Sequence, residues 1–205
     1  MNKLGAIIKS IIIAFFFSTF FVFLIGIFCG SYINKGLSIL NTISIKLNNA
    51  GNKEIQFDKM KKRLTNQPTW GANIGRLKIP SISVDLPIYQ GDSKTQLVDG
   101  AGHHAGSYFP GEGGSILLAA HNSHGLFYTL PQIQINDIVT IEMSYGTYQY
   151  QVFKTDIANY NNLDAFPIQD QEEYVMLYTC YPVDNVWYVD DRFIAFAKLV
   201  GDPHE

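Results

Sequence analysis

Three residues with the chemistry for nucleophilic catalysis lie at the ends of apolar, strand-like runs. The run YVMLYTC ends on Cys180, SILLAAH ends on His121, and RFIAFAKLVG begins with Arg192. A nearby imidazolium or guanidinium raises the fraction of a thiol present as thiolate, and the imidazole can then protonate a leaving amine. An arginine beside the same site supplies hydrogen-bond donors where a tetrahedral oxyanion develops.

Each of these residues also has a purely structural interpretation. A single cysteine in an apolar strand is most often part of a core, and a histidine after LLAA is commonly structural. Arg192 follows Asp190 and Asp191, with which it could form a surface ion pair. Strand ends are places where a rigid frame holds side chains at the surface, so the three residues together favour catalysis by Cys180.

The elements that must position these residues are predicted to be short β-strands. Runs of apolar and β-branched residues separated by turn residues are typical of an all-β barrel or sandwich. The predicted strands are 75–80, 83–91, 115–121, 137–143, 148–157, 174–180 and 192–201. The glycine- and histidine-rich segment 99–114 is predicted to be a loop. Short helices fit within 94–100, 125–133 and 162–172.

The N-terminal segment predicts a membrane anchor. Residues 11–29 carry no charge, and a helix of that length covers about 28 Å, close to the hydrocarbon core of about 30 Å. Lys3 and Lys9 precede it, and the first acidic residue after it is Glu54, so the N-terminus is expected in the cytoplasm. A cleaved signal peptide is disfavoured because no A-x-A-like site follows. The expected organisation is an anchor, an extracytoplasmic stalk and a folded extracellular domain, in residues 1–30, 31–70 and 71–205.

The two cysteines of the chain, Cys29 and Cys180, are not expected to form a disulfide. Cys29 lies at the predicted membrane edge, and Cys180 lies far along the folded domain. Cys180 is therefore expected to be a free thiol outside the cell, where structural cysteines are usually paired.

Composition argues against several other classes of protein. The formal net charge of -3 lacks the basic excess of a nucleic-acid-binding protein. The absence of a Cys-x-x-Cys pair excludes a cysteine-rich zinc site. The histidines that could form a zinc site have weak spacing and no accompanying carboxylate motif: His103, His104, His121 and His124. The acids considered for calcium lack EF-hand spacing: Asp92, Glu112 and Asp137. We therefore predict no metal and no cofactor.

Three segments resemble the signature regions of the sortases, the membrane-anchored cysteine transpeptidases of Gram-positive bacteria. These segments are SILLAAHNS, VMLYTCYP and DDRFIAFAKLV. The family pattern has a small residue before a histidine, T-L-x-T-C at the end of a later strand, and an arginine opening the next strand. The chain has Met176 where threonine is usual and Ala120 where glycine is commoner, but it keeps Leu177, Thr179 and Cys180.

The resemblance extends from about Gly75 to Gly201 and is strongest to class D. GAGHHAGSYFPGEGGSILLAAH and TCYP are similar to class D segments, although classes A and D share one architecture. The segment QPTW, residues 67–70, is only weakly similar to the lid segment of class C.

The resemblance implies an eight-stranded sortase β-barrel with short helices. It also implies that Cys180 cleaves an LPxTG-like sorting signal between Thr and Gly, with His121 as general acid and base and Arg192 stabilising the substrate and oxyanion. The resulting thioacyl enzyme would be resolved by an amine, most often that of a peptidoglycan precursor.

The resemblance also implies a substrate groove and a set of partners. Ala119, Thr179 and Tyr178 match positions that line the groove of the family, and His104 could flank it. The implied partners are surface proteins bearing the sorting signal, an amine acceptor of the cell wall, and membrane lipid around the N-terminal helix.

Two alternatives remain open from the sequence. The same residues would serve a cysteine protease that uses water as the acceptor. A membrane-anchored β-domain could instead bind peptide or cell-wall material without catalysis, with Cys180 inert.

Overall fold

The computed structural model describes residues 12–21, 55–183 and 189–201. Residues 12–21 form an exposed helix. Among the described residues, no helix combines the length and the apolar character needed to cross a membrane. Cys29, the remainder of the predicted anchor, most of the predicted stalk and the middle of the segment before Arg192 lie outside the described residues.

A closed β-barrel forms the folded domain. The described strands are β1 (Phe57–Asp58), β2 (Arg63–Leu64), β3 (Asn73–Ile79), β4 (Val84–Gln90), β5 (Ala101–His103), β6 (Ser115–Ala119), β7 (Ile138–Met143), β8 (Gly146–Asn159), β9 (Tyr174–Tyr181) and β10 (Asp191–Gly201). Eight of them close the barrel in the order β10-β8-β7-β3-β4-β5-β6-β9. The β4–β5 and β6–β9 pairs are parallel, and the other neighbours are antiparallel. The predicted eight-stranded barrel is confirmed.

Apolar residues cover both faces of the strands that carry the candidate catalytic residues. Side chains alternate between the two faces of a strand, so Leu118 and Leu177 pack in the barrel interior while their neighbours face outward. The outward residues form a second cluster, here termed the outer apolar layer: Leu117, Met176, Ile194 and Phe196. Burial on both faces explains why these strands are continuous apolar runs in the sequence.

Strand β5 lies inside the segment that was predicted to be a loop. Its sequence, Ala-Gly-His, has no β-branched residue, so local propensity gives no strand signal. The strand forms because it is held between β4 and β6. Gly102 is required there, because an added Cβ would lie 2.6 Å from the Gly91 carbonyl oxygen.

The predicted helices are short 3₁₀ segments. They span Gln96–Val98, Phe127–Gln132 and Leu163–Ala165, and a further one, Pro80–Ile82, connects β3 to β4. Pro131 lacks the backbone N–H that a longer α-helix would need at that position. Connections of this length turn the chain between strands without adding a helical layer to the barrel.

A hairpin of β1 and β2 lies within the segment that was predicted to be stalk, residues 31–70. Leu64 is buried against the core, and Phe57 stacks on Tyr145 with ring centroids 4.8 Å apart. One oxygen of the Glu112 carboxylate accepts a hydrogen bond from the Leu64 N–H at 2.8 Å. The hairpin is therefore part of the folded domain rather than a spacer.

The carboxylate of Glu173 holds the glycine-rich loop that leads into β6. It accepts hydrogen bonds from the N–H groups of Gly111 and Gly113 at 3.0 and 2.8 Å, and from the Tyr150 hydroxyl at 2.7 Å. Both glycines have a φ near +90°, which other residues rarely adopt. Burial raises the pKa of Tyr150, so its hydroxyl remains a donor. This arrangement fixes the entry to the strand that precedes His121.

Candidate active site

Cys180 and Arg192 lie opposite each other on adjacent antiparallel strands. The register of β9 and β10 pairs Arg192 with Cys180 and Ile194 with Tyr178. Directly paired residues project from the same face, with Cβ atoms about 4.5–5.5 Å apart. Since Ile194 belongs to the outer apolar layer, the thiol and the guanidinium both face outward. Cys180 is a free, half-buried thiol.

The parallel pairing of β6 with β9 brings His121 towards Cys180. Ala119 pairs with Tyr178, and the Ala120 N–H donates to the Tyr178 carbonyl oxygen at 3.3 Å. His121 follows Ala119 by two residues, and Cys180 follows Tyr178 by two residues. Leu117, four residues before His121, lies on the outward face of β6.

Two further hydrogen bonds hold the chain around these strand ends. The Phe127 N–H donates to the His121 carbonyl oxygen at 3.0 Å. The Asn122 side-chain amide donates to the Val183 carbonyl oxygen at 3.3 Å, which links the segment after His121 to the segment after Cys180. The segments that follow His121 and Cys180 are therefore joined to each other and to the rest of the domain by hydrogen bonds.

Thr179 faces the barrel interior and does not line the groove as the resemblance implied. Its side chain is only 2% exposed, and its hydroxyl donates to the Ala120 carbonyl oxygen at 2.9 Å. This bond joins the residue before Cys180 to the residue before His121. Ala119 is also buried, at 6% exposure, whereas Tyr178 is half-buried and does border the groove.

The Arg192 guanidinium is held by backbone carbonyl groups. Its Nη1 donates to the carbonyl oxygens of Val189 and Asp191 at 2.8 and 2.9 Å. Its Cζ also lies 5.3 Å from the centroid of the Tyr160 ring. No carboxylate among the described residues forms a salt bridge with Arg192. The surface ion pair with Asp190 or Asp191 is therefore not formed, and Arg192 lines the groove described next.

A groove of about 460 Å³ runs beside Tyr178 and Arg192. This volume lies within the range of ligand-binding sites, which combine apolar walls with a few polar groups. Its remaining lining residues are Asp92, His104, Leu117, Tyr160, Leu163, Phe166 and Ile168. Leu163 and Ile168 are both exposed, so this wall presents adjoining apolar side chains to solvent. This wall was not predicted from the sequence, although the apolar character of LDAFPI, residues 163–168, indicates it.

His104 and Asp92 form a second ionisable pair in the groove wall. His104 Nδ1 lies 2.6 Å from Asp92 Oδ2, which also accepts a hydrogen bond from the Tyr178 hydroxyl at 3.4 Å. The hydrogen bond to Asp92 raises the pKa of His104, and the same bond lowers the pKa of Asp92. Burial raises the pKa of Tyr178, which therefore stays neutral. His104 was predicted from the sequence to flank the groove, whereas Asp92 was considered only as a possible calcium ligand.

His103, the neighbour of His104, is a core residue. It is 1% exposed, stacks on Phe109 with ring centroids 4.3 Å apart, and contacts the Tyr108 carbonyl oxygen through Nε2 at 2.9 Å. Burial lowers the pKa of His103 to about 4, so the ring is neutral at physiological pH. In the part of the chain that the structure describes, no three histidine, cysteine or acidic side chains converge on a possible metal site.

Comparisons with known proteins show the family of the chain. The model of the sortase domain matches residues 77–200. Sortase D of Bacillus subtilis (strain 168) is 32% identical over 143 residues, which cover 70% of this chain and 72% of that protein. Sortase A of Bacillus anthracis is 26% identical over 132 residues, which cover 62% and 60%.

Solved structures show the same similarity. A sortase D5 transpeptidase of Clostridium perfringens superposes with a TM-score of 0.59 at 25% identity, covering 65% of this chain and 82% of that one. Sortase C1 of Streptococcus agalactiae gives a TM-score of 0.58 at 29% identity, covering 63% and 68%.

Proposed function

The chain belongs to the sortase family of cysteine transpeptidases, and from that premise we propose that Cys180, His121 and Arg192 are its catalytic residues. The observation that carries this proposal is the register of β9 with both of its neighbours. Arg192 is the cross-strand partner of Cys180, and the β6 register directs His121 to the same end of β9. Cys180 and Arg192 share the outward face, and Arg192 lines the groove.

The roles follow from the chemistry of each group. The Cys180 thiolate attacks the carbonyl carbon of the scissile peptide bond, and the negative charge moves to the carbonyl oxygen. Arg192 stabilises this oxyanion through N–H groups of its guanidinium. His121 donates a proton to the leaving nitrogen, the C–N bond breaks, and a thioester remains on Cys180.

An amine completes the reaction. His121, now neutral, accepts a proton from the incoming amine as the nitrogen attacks the thioester carbon. The C–S bond then breaks, a new amide forms, and the Cys180 thiolate is regenerated. With water as the acceptor, the same residues would release a carboxylic acid, which is the protease alternative.

The proposed substrate is an LPxTG-like sorting signal, cleaved between Thr and Gly. The apolar walls of the groove, at Leu117, Leu163 and Phe166, suit the leucine and proline of such a signal. The proposed acceptor is an amine of a peptidoglycan precursor. The charge-free run of residues 11–29, with Lys3 and Lys9 before it, supports a single-pass anchor that leaves the catalytic domain outside the cell.

The proposal is tested by trapping the thioacyl enzyme. The full-length protein, purified in detergent, is incubated with LPATG peptides and analysed by mass spectrometry. We expect Cys180 to carry the acyl fragment that ends on the threonine of the peptide. Triglycine or diaminopimelic acid should then resolve this adduct faster than water does.

Two results would contradict the proposal. Equal resolution with and without amine would favour the protease. No adduct from any LPxTG-type peptide, while iodoacetamide still alkylates Cys180, would remove the proposed substrate class.

Arg192→Ala is expected to lower kcat about 10²–10³-fold, the usual cost of losing an oxyanion donor. Arg192→Lys should recover little of this loss, because lysine keeps the charge without the planar set of donors. Steady-state kinetics on one peptide provide the measurement. Arg76→Lys is the matched control, since Arg76 pairs with Asp85 on the surface and is absent from the groove lining. A loss confined to KM would make Arg192 a binding residue only.

A further inference from the structure

The His104–Asp92 pair occupies the groove wall but has no part in the mechanism proposed above. Asp92 follows β4 and His104 follows β5, and the parallel pairing of these strands brings both residues to one edge of the barrel. Their side chains are 39% and 26% exposed, for His104 and Asp92 respectively, so both remain accessible from the groove.

The imidazole of His104 has one unused polar position. Within the described residues, Nδ1 contacts Asp92 and Nε2 has no protein partner. Protonation therefore creates an Nε2–H donor, on the side of the ring away from Asp92. A donor of this kind binds a carboxylate more strongly than it binds a neutral oxygen.

The other charged groups of the groove favour an anionic ligand. When His104 is protonated, two cations, His104 and Arg192, face one carboxylate, Asp92. Tyr178 contacts Asp92 but stays neutral, and His103 behind the wall is also neutral. The groove is thus net positive at a pH where His104 is protonated, and it loses that excess when His104 loses its proton.

The position of the pair relative to Cys180 indicates which part of a peptide it meets. Tyr178, which contacts Asp92, lies two residues before Cys180 on the same face of β9. Two strand residues span about 7 Å, as do two residues of an extended peptide. With a threonine carbonyl at Cys180, the variable residue x of LPxTG is one residue upstream, about 3.4 Å along an extended peptide, and the side chain of a glutamate there covers the remaining distance to the wall.

We propose that the His104–Asp92 pair selects an acidic residue at the variable position of the sorting signal, through a hydrogen bond from His104 Nε2–H to the substrate carboxylate. This inference rests on the proposed LPxTG-like substrate. Asp92 has a positioning role: it orients the imidazole and keeps it protonated. His104 is the residue that touches the substrate.

The selection depends on pH with a definite sign. Asp92 raises the pKa of His104, so the imidazolium persists to a higher pH than in a free histidine. The preference for an acidic residue is therefore complete below that raised pKa and disappears as the pH rises through it.

The test compares LPETG with LPQTG, which differ by one charge and have nearly the same shape. The ratio of their kcat/KM values is measured with the full-length protein across a pH series. Effects of pH on the catalytic steps common to both peptides cancel in the ratio. We expect about a 5-fold preference for LPETG at low pH, discounted for the partial exposure of the site, and a ratio near 1 at high pH.

Two variants and a control test whether the preference for LPETG arises from the His104–Asp92 pair. His104→Gln should bring the ratio near 1 at every pH. Asp92→Asn should retain the preference for LPETG only at lower pH, because the Asp92 carboxylate no longer raises the pKa of His104. His124→Gln, the same change at an exposed histidine that stacks on Tyr128 outside the groove lining, should leave the ratio unchanged.

The outcomes separate this inference from the function on which it rests. A ratio that does not vary with pH, or that survives in His104→Gln, overturns the inference alone. Failure of the wild-type protein to turn over either peptide overturns the LPxTG-like substrate, and the inference with it.

Discussion

Cys180→Ala should reduce transpeptidation to the limit of detection, a loss of about 10⁵-fold or more. The reason is that no thioester can form without the sulfur, and triads that lose their nucleophile typically lose activity on this scale. The measurement is product formation from an LPATG peptide and triglycine, with mass spectrometry on the protein to detect any acyl adduct. The adduct seen with the wild-type protein should be absent.

The fold should survive this change. Cys180 is half-buried on the outward face at the end of β9, and it belongs to neither apolar cluster. The melting temperature should therefore stay close to that of the wild-type protein. Met176→Ala provides the contrast, because Met176 is fully buried in the outer apolar layer and its truncation should cost about 2–5 kcal/mol of stability. Substantial activity in a folded Cys180→Ala protein would refute the mechanism.

His121→Gln is expected to lower kcat about 10³-fold. Glutamine keeps polar groups at the position but can neither donate a proton to the leaving nitrogen nor accept one from the incoming amine. It also removes a cation that would stabilise the thiolate, so alkylation of Cys180 by iodoacetamide at neutral pH should slow in parallel. Both rates are measured on the same preparation.

His124→Gln is the matched control for this variant. It makes the same change three residues further along, on an exposed side chain, and should leave both rates near the wild-type values. A wild-type kcat in His121→Gln would exclude the acid–base role. A fall in kcat without any change in alkylation would limit His121 to proton transfer.

The strands that carry the candidate site could be predicted because their signal is local. Strands β6, β9 and β10 are apolar runs that end or begin on a polar residue, and both of their faces are buried. Such a pattern identifies the strand and its terminal residue within a few positions. The same segments carry the resemblance to the sortases, and that resemblance implied the eight-stranded barrel.

Features that depend on contacts between distant segments could not be predicted. Ala101–His103 becomes a strand only through its two neighbours, and the His104–Asp92 pair exists only because β4 and β5 run parallel. The hydrogen bond from the Thr179 hydroxyl to the Ala120 carbonyl oxygen depends on the pairing of two separate strands, which a linear pattern does not reveal. The β1–β2 hairpin was hidden in a polar segment because its contacts are with residues 48 or more positions away.

The position of β10 in the barrel has a consequence for the order in which the protein matures. β10 is the strand that joins β8 to β9, and it also carries Arg192. Until the ribosome has added residues 191–201, β8 and β9 each expose an unpaired edge, and Cys180 lacks its cross-strand partner. A nascent chain thus carries the Cys180 thiol before it carries Arg192, the proposed oxyanion donor. Barrel closure and the pairing of Arg192 with Cys180 therefore occur in the same step.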